Sequence, residues 1–227
     1  MTHDYKVTFT REEQIATIAA SWLDAHASER RYGFDITEFV ENTLTKRLRK
    51  KDRLKIEYFD RTCKYDEPAY VTFRPLTLHV DRAIWYAAKA GDEYARFVIA
   101  HEVGHIILHD NDAKAFSSDR SLRIRFAEKE HSAEWQANTF AAYFLLPDEL
   151  VEKFNDEELL HIFCGTPRTV VRERLASFRE ARRASIKRFE GDACNRCGNF
   201  TIVRDGNRLK CNTCGLVTGA LDVVGSV

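Results

Sequence analysis

The chain has 227 residues, of which 44% are hydrophobic and 31% are charged, a composition typical of a soluble globular protein. Its 35 basic side chains balance its 35 acidic ones, so the average charge argues against a generally basic nucleic-acid binder. The longest apolar run, 140–146, is too short to cross a membrane, and the N-terminus lacks the apolar region of a secretion signal, so we expect neither a membrane nor a secreted protein.

The first half of the chain is predicted to contain three helices and three strands. Thr10 with Glu13 forms a capping box for the first helix, and Asp35 is expected to cap the second. Asp92 is expected to cap a longer helix that ends near His109. Alternating and β-branched residues predict short strands at 54–59, 69–73 and 76–80.

The second half is predicted to be mainly helical. A polar surface loop at 110–130 precedes a long helix over about 129–146. A shorter helix over 157–164 follows, and Pro167 then takes the first position of a helix that continues to about Glu190. Beyond that point the composition changes to Cys, Gly and Asn, which indicates a separate small module.

The sequence His101-Glu-Val-Gly-His105 places two histidines four residues apart on a predicted helix. Because an α-helix has about 3.6 residues per turn, both imidazoles lie on one face and can bind the same zinc ion. Glu102 lies beside the pair and is close enough to act as a general base. The same sequence also occurs by chance in amphipathic helices, where the histidines are ordinary polar residues.

A catalytic zinc site needs a third protein ligand, for which the sequence offers His109, His131 and Glu134. Three ligands from one straight helix give poor tetrahedral geometry, which disfavours His109. Glu134 is favoured because Asn138, one turn further along the same predicted helix, could hold a ligand imidazole in the required tautomer. His131 and Tyr143 are also nearby candidates for stabilising an oxyanion, a role that we leave unassigned.

Four of the six cysteines form two Cys-x-x-Cys-Gly knuckles separated by 13 residues: Cys194, Cys197, Cys211 and Cys214. A predicted hairpin turn at 205–207 lies between them, and together these features predict a zinc ribbon with a closed, structural zinc site. We expect each glycine to let its amide approach the neighbouring thiolate. Such a module could bind a nucleic acid or a partner, or could only stabilise the end of the chain.

The other two cysteines, Cys63 and Cys164, stand apart. A thiolate from either could occupy the open zinc position in a resting state, but burial as a small hydrophobic side chain is the favoured interpretation of both.

Basic residues are concentrated in two runs, with seven basic and one acidic residue at 46–55 and eight basic and three acidic at 168–190. A solvated helix face is the usual cause of such a run. The second run leads into the cysteine-rich module, which favours a nucleic-acid groove. Its candidate contacts are Arg172, Arg179, Arg182, Arg183, Lys187 and Arg188.

Two segments of the chain resemble the ImmA/IrrE-type metallopeptidases. They are R-F-V-I-A-H-E-V-G-H-I-I-L-H at 96–109 and A-E-W-Q-A-N-T-F-A-A-Y-F-L-L-P at 133–147, and they match the family in motif, spacing and helix order. The resemblance is close over 96–147 and loose over 10–178.

This resemblance implies that His101, His105 and Glu134 bind a catalytic zinc and that Glu102 is the general base. The usual family pattern has an acidic residue where this chain has Gln136, a departure that leaves the proposed ligand untouched.

The resemblance also implies a bacterial, cytoplasmic zinc endopeptidase that cleaves a helix-turn-helix repressor and derepresses a stress, DNA-damage, mobile-element or antiphage operon. A peptidase followed by a cysteine-rich module is similar to the CapP-type regulators of CBASS antiviral defence, which implies activation by DNA, most readily single-stranded DNA. The alternative is a non-catalytic zinc- and DNA-binding sensor that inactivates its partner by binding; the intact Glu102 favours the enzyme.

We therefore expect an α+β fold with two zinc ions, one catalytic and one structural. A zincin-like metallopeptidase domain of helices and a small three-stranded sheet is expected over 1–165. The remainder is expected to form a basic helix or linker (166–190), a four-cysteine zinc ribbon (191–220) and a tail (221–227).

Overall fold

The computed structural model describes residues 4–26, 33–48, 53–63, 67–109, 128–185, 190–194, 196–206 and 208–220, with the backbone alone at 183–185 and 218–220. The chain divides into two compact units, Met1–Leu175 and Ala176–Val227. Most of the loop predicted at 110–130 and all of the tail predicted at 221–227 lie outside the described residues. The four-part division made from the sequence stays a prediction.

The first unit combines helices with a small sheet, so the α+β class predicted from the sequence is confirmed. Its elements in chain order are α1 (Glu12–Ala25), α2 (an α-helical Ile36–Glu38, a π-helical Phe39–Leu44 and an α-helical Thr45–Arg47), β1 (Lys55–Phe59), β2 (Ala69–Phe73), β3 (Leu76–Asp81), α3 (Arg82–Lys89), α4 (Glu93–Leu108), α5 (Ala133–Leu145), α6 (Asp148–Phe154), α7 (Glu157–Cys164) and the first part of α8 (Arg168–Ser185).

The three predicted strands form one sheet in the order β1-β3-β2, with β1 parallel and β2 antiparallel to the central β3. Leu78 and Val80 of β3 are completely buried and enter the main hydrophobic core. In β2, the buried Ala69 and Val71 alternate with exposed neighbours, and this alternation identifies a half-buried strand in the sequence.

Two of the three predicted helix caps are confirmed. The Asp35 carboxylate accepts hydrogen bonds from the amides of residues 37 and 38, and Asp92 accepts from the amide of residue 95. The cap predicted at Thr10 is wrong, because α1 begins one residue later with Arg11 as its N-cap. The Arg11 amide donates to Oε1 of Gln14 at 3.0 Å. This is the contact in a capping box by which the side chain of the third helical residue binds the amide of the N-cap residue.

The long helix predicted over about 129–146 is interrupted near its start. Lys129–His131 forms a short 3-10 turn, and Ser132 then caps α5 by accepting a hydrogen bond from the Trp135 amide at 2.9 Å. A serine hydroxyl satisfies a free amide at a helix start, and this explains the boundary. The predicted start of the last helix at Pro167 is one residue early, since α8 begins at Arg168.

Helices α4 and α5 pack against each other at Gly104. A Cβ atom at this position would lie 3.0 Å from the carbonyl oxygen of Ala137 and 3.3 Å from Cβ of Phe140. Only glycine fits here without displacing backbone. This contact places the two helices that carry both sequence motifs side by side.

Arg96 of α4 joins three segments of the first unit from a position that is 3% exposed. Its guanidinium donates to the carbonyl oxygens of Phe34 at 2.6 Å, Gly165 at 3.0 Å and Cys164 at 3.1 Å. Two of these carbonyls lie at the C-terminal end of α7, where a helix leaves acceptors without partners. Burial lowers the pKa of Arg96, but its high intrinsic pKa keeps the group charged.

The second unit contains the rest of α8 and a three-stranded antiparallel sheet in the order β4-β5-β6: β4 (Ile202–Asp205), β5 (Arg208–Cys211) and β6 (Val217–Ala220). Ile202 and Leu209 form its small core together with Cys194 and Cys211. Among the described residues, no helix combines the length and the apolar character needed to span a bilayer.

We predict that Arg96→Met destabilises the chain by about 3 kcal/mol, because three carbonyl groups, two of them in buried contacts, lose their hydrogen-bond donor while the side-chain volume is roughly kept. The free energy of unfolding is measured by urea denaturation of the full chain. Arg82→Met is the matched control, since the Arg82 side chain is 49% exposed and pairs with Asp60 at the surface. Equal losses in the two variants would contradict the role given to Arg96.

Candidate metal centres

The structure brings together His101 and His105 from α4 and Glu134 from α5. The two Nε2 atoms lie 3.0 Å apart, and Glu134 places Oε2 3.3 Å from the first and Oε1 3.5 Å from the second. Zinc ligands at 2.0–2.1 Å in a tetrahedron lie about 3.3 Å from one another. The donor set and its spacing therefore fit a zinc ion with three protein ligands, and their assignment as ligands stays a prediction.

Asn138 orients the first of these imidazoles. In the neutral ring, Nδ1 of His101 donates to Oδ1 of Asn138 at 2.8 Å, and Nε2, which faces Glu134, keeps its lone pair. Glu134 and Asn138 lie one turn apart on α5, so one face of this helix provides both the carboxylate and the amide.

The electrostatics of the centre favour a bound cation. Burial raises the pKa of Glu134, but its contacts with the imidazoles of His101 and His105 outweigh burial and lower it, so this carboxylate remains ionised. Burial lowers the pKa of His101, but its bond to Glu134 and the charge of Glu102 outweigh burial and raise it. Both shifts show a preference for positive charge beside Glu134, which a zinc ion would also supply.

Glu102 lies on the same helix and is only 6% exposed. Its charge raises the pKa of His101 and contributes to the raised pKa of Tyr5, so the carboxylate lies within electrostatic range of the ligand group. A proton acceptor for chemistry at the centre needs a position close to these ligands.

His109, one of the candidate third ligands, lies behind His105. Its Nδ1 is 3.1 Å from Nδ1 of His105, and its Nε2 is 3.1 Å from Oε1 of Gln136. Burial and then the neighbouring His105 lower the pKa of His109 to about 4, so the ring is neutral. From the sequence, His109 is a candidate ligand and Gln136 a departure from the family pattern; their contact joins two helices and has no local signal.

Residues 4–10, which we call the N-terminal strap, run beside the start of α5. The Asp4 carboxylate accepts from the Glu134 amide at 3.1 Å and from the Ser132 hydroxyl at 2.6 Å. Tyr5 packs its ring against His105, with 6.4 Å between ring centroids, and burial is the main cause of its raised pKa. The strap residues were missed because nothing in their local sequence indicates a contact more than 120 positions away.

The two other residues weighed from the sequence have different partners. His131 bonds through Nδ1 to the Val7 carbonyl oxygen at 3.1 Å and thus belongs to the contact with the N-terminal strap. The Tyr143 hydroxyl donates to Oε1 of Glu12 at 3.0 Å.

The four cysteines of the second unit also converge. Sγ of Cys194 lies 3.6 Å from that of Cys214, and Sγ of Cys197 lies 3.6 Å from that of Cys211. Thiolates at 2.3 Å from a tetrahedral zinc lie about 3.8 Å apart, so the spacing fits a four-thiolate site. The Thr201 hydroxyl, 3.3 Å from Sγ of Cys211, lowers the pKa of that thiol to about 6.

The role expected for the two knuckle glycines is wrong. Their amides donate to the carbonyl oxygens of Cys194 and Cys211, at 2.7 and 2.8 Å, and both glycines have positive φ. The backbone hydrogen bonds that lower the pKa of Cys194 come from Cys197 and Arg196, which lie inside the knuckle. Glycine is required here by the left-handed turn and not by a bond to sulfur.

Neither remaining cysteine belongs to the groups of converging ligands found among the described residues. Cys164 is completely buried, and burial raises the pKa of its thiol to about 11, which disfavours the thiolate form. Cys63 is exposed, so the burial expected for it is wrong.

The basic residues of α8 differ in their surroundings. Arg172 forms a two-pronged contact with Glu157, at 2.7 and 3.2 Å, which neutralises much of its charge. Arg179 and Arg182 are exposed further along the helix. The remaining candidate contacts, the side chains of Arg183, Lys187 and Arg188, lie outside the described residues.

Comparison with known families agrees with the resemblance noted in the sequence. Residues 66–176 match the model of the IrrE N-terminal-like domain, Peptidase_M78. This range includes both α4 and α5 and therefore the whole His/Glu centre, whereas the N-terminal strap lies before it.

Two curated proteins share shorter stretches with this chain. A 62-residue stretch, 27% of the chain, is 39% identical to the uncharacterized immunity region protein 2 of Bacillus phage phi105 and covers 36% of that protein. A 55-residue stretch, 24% of the chain, is 46% identical to a vitamin B12-dependent ribonucleotide reductase of Bradyrhizobium diazoefficiens and covers 4% of it. The chain thus spans a minor part of the length of these relatives.

A solved structure titled as a Mycobacterium tuberculosis transcriptional regulator aligns with 74% of this chain and 48% of its own, at 19% identity and a TM-score of 0.46.

We predict that Glu134→Gln removes one zinc ion per chain, because a neutral amide replaces the ionised ligand. Zinc bound to the purified full chain is counted by mass spectrometry of the metal. Glu149→Gln is the control, since Glu149 is exposed on α6. An unchanged zinc content in Glu134→Gln would exclude this ligand and return attention to His131.

Proposed function

We propose that this chain is a zinc endopeptidase that cleaves a helix-turn-helix transcriptional repressor, because residues 66–176 match the model of the IrrE N-terminal-like domain. The observation that carries the proposal is the convergence of His101, His105 and Glu134, with the buried Glu102 beside them. The match to a phage immunity-region protein supports a repressor as the substrate. Such a substrate would place the chain in the bacterial cytoplasm.

The ligand set leaves room for catalysis. Three protein ligands leave a tetrahedral zinc with one further position for water or substrate. When bound, zinc would polarise the scissile carbonyl group and make water more acidic. Glu134 stays ionised to hold the cation, and Asn138 holds the His101 ring so that Nε2 faces it.

Glu102 provides the proton transfer in this proposal. Its buried carboxylate takes a proton from the attacking water and passes it to the leaving nitrogen of the cleaved peptide bond. A protein that inactivated its partner only by binding would have no need of a buried carboxylate at this position. The enzyme is therefore favoured over the non-catalytic sensor.

The proposed repressor cleavage would derepress an operon, and we propose DNA, preferably single-stranded, as the activating signal. Charge distribution supports a nucleic-acid contact on the second unit. Residues 176–227 contain nine basic and five acidic side chains, a net charge of +4 in a chain with no net charge. Exposed Arg179 and Arg182 contribute to this excess, and Phe200, 76% exposed, offers an aromatic surface for a base.

We predict that Glu102→Gln keeps both zinc ions but loses at least about 1,000-fold in cleavage rate, because the general base is gone. The full chain is incubated with the helix-turn-helix protein encoded beside it, and the products are read by intact mass. Glu149→Gln should cleave like the wild type. Full cleavage by Glu102→Gln would exclude the general-base role, whereas an intact repressor held in a stable complex with the wild type would identify the binding-only sensor.

We further predict that Arg179→Glu combined with Arg182→Glu weakens binding of a single-stranded oligonucleotide by about tenfold or more at low salt and abolishes its stimulation of cleavage. Fluorescence anisotropy measures the affinity. Arg74→Glu combined with Lys89→Glu makes the same charge change on exposed residues of the first unit and should have a smaller effect. If no oligonucleotide binds at low salt, DNA is not the signal.

A further inference from the structure

We propose that Gln136 is a positioning residue of the metal centre: acting through His109, it selects the ring tautomer in which His105 presents Nε2 to zinc. The proposal rests on the proposed function only in taking His105 as a zinc ligand. It is carried by one continuous series of hydrogen bonds from the N-terminal strap to His105.

The orientation of the Gln136 amide is set by two backbone carbonyl groups. Nε2 of Gln136, a buried side chain with 1% exposure, donates to the carbonyl oxygens of Thr8 at 2.8 Å and Glu130 at 2.7 Å. The reverse orientation would place the amide oxygen against both carbonyl oxygens, with no donor between them. Oε1 therefore points to His109 and can only accept a hydrogen bond.

His109 must then carry its proton on Nε2. This nitrogen lies 3.1 Å from Oε1 of Gln136 and is the donor in that contact. A neutral imidazole has a single N–H, so Nδ1 of His109 is left as an acceptor. The Tyr5 hydroxyl, 3.5 Å from the same Nδ1, is a second donor directed at it.

The last step determines the state of His105. Nδ1 of His105 lies 3.1 Å from the acceptor nitrogen of His109 and so carries the proton. Its Nε2 is left with a lone pair, 3.5 Å from Oε1 of Glu134 and 3.0 Å from Nε2 of His101. A zinc ligand needs this form of the ring, and a bond at the other nitrogen commonly selects it.

An uncharged amide suits this arrangement better than the carboxylate found in the usual family pattern. Only an amide can accept from His109 and at the same time donate to Thr8 and Glu130. Gln136 thus links the N-terminal strap, which lies before the matched domain at 66–176, to a ligand of the metal centre.

The test compares Gln136→Leu with Gln136→Glu in the full chain at pH 8. Both variants lose the two bonds to Thr8 and Glu130, but only Glu keeps an acceptor for His109. We expect Gln136→Leu to weaken zinc binding at the His/Glu centre by about 10- to 100-fold and Gln136→Glu by about threefold at most. Zinc affinity is measured by competition with a chelator. Glu134→Gln is expected to keep only the four-cysteine site, so the zinc that it binds gives the contribution of that site.

A purely structural role for Gln136 predicts the opposite order. The new carboxylate would face two carbonyl oxygens, so Gln136→Glu would then lose at least as much affinity as Gln136→Leu, and this result would overturn the proposal. Leu160→Ala, a completely buried change on α7, controls for lower stability and should leave zinc affinity within about twofold. An equal loss of affinity in this control would also overturn it.

Nitrogen NMR of the zinc-loaded chain labelled at histidine reads the tautomers directly. We expect His109 protonated at Nε2 alone in the wild type and in Gln136→Glu, with that single form lost in Gln136→Leu. A wild-type His109 protonated at Nδ1 would overturn the proposal. No substrate is used, so a chain with these properties that never cleaves a repressor would refute the proposed function and leave this inference standing.

Discussion

Helices α4 and α5 approach so closely at Gly104 that an added Cβ would lie 3.0 Å from the carbonyl oxygen of Ala137. This contact places His101 and His105 of α4 opposite Glu134 of α5. Glycine inside a helix costs about 1 kcal/mol relative to alanine, and close packing of the two buried helices offsets that cost. The proposed zinc ligands, the residues that orient them and much of the core therefore depend on the same interhelical spacing.

Each imidazole of the His/Glu centre is oriented by a hydrogen bond at Nδ1, the ring nitrogen that faces away from Glu134. Asn138 engages Nδ1 of His101, while His109 and Gln136 perform the corresponding task for His105. In the neutral form that binds zinc, both rings thereby direct the lone pair of Nε2 to the side on which the ionised Glu134 lies. In the proposed function these contacts leave little to reorganise when a cation binds, and preorganisation of this kind is the usual contribution of a protein to metal catalysis.

The two candidate zinc sites have different chemistry. Two imidazoles and a carboxylate leave a coordination position open, as a catalytic site requires, whereas the four thiolates of the second unit close theirs. Charge is also distributed unequally between the two units, because residues 176–227 carry a net charge of +4 in a chain whose net charge is zero. The neutral average therefore conceals a basic unit, and it does not argue against the DNA contact that we propose there.

The sequence alone determined the elements whose signals are local. Helix caps at Asp35 and Asp92, the alternation within the strands, and the spacing of histidines and cysteines all depend on residues a few positions apart. Only the tertiary structure placed Gln136 of α5 beside His109 and brought residues 4–10 to the start of α5. Asp4 bonds to an amide 130 positions further along the chain, and Gln136 to the carbonyl of Thr8. Such contacts follow from how helices pack, and periodicity and spacing along a sequence carry no record of that packing.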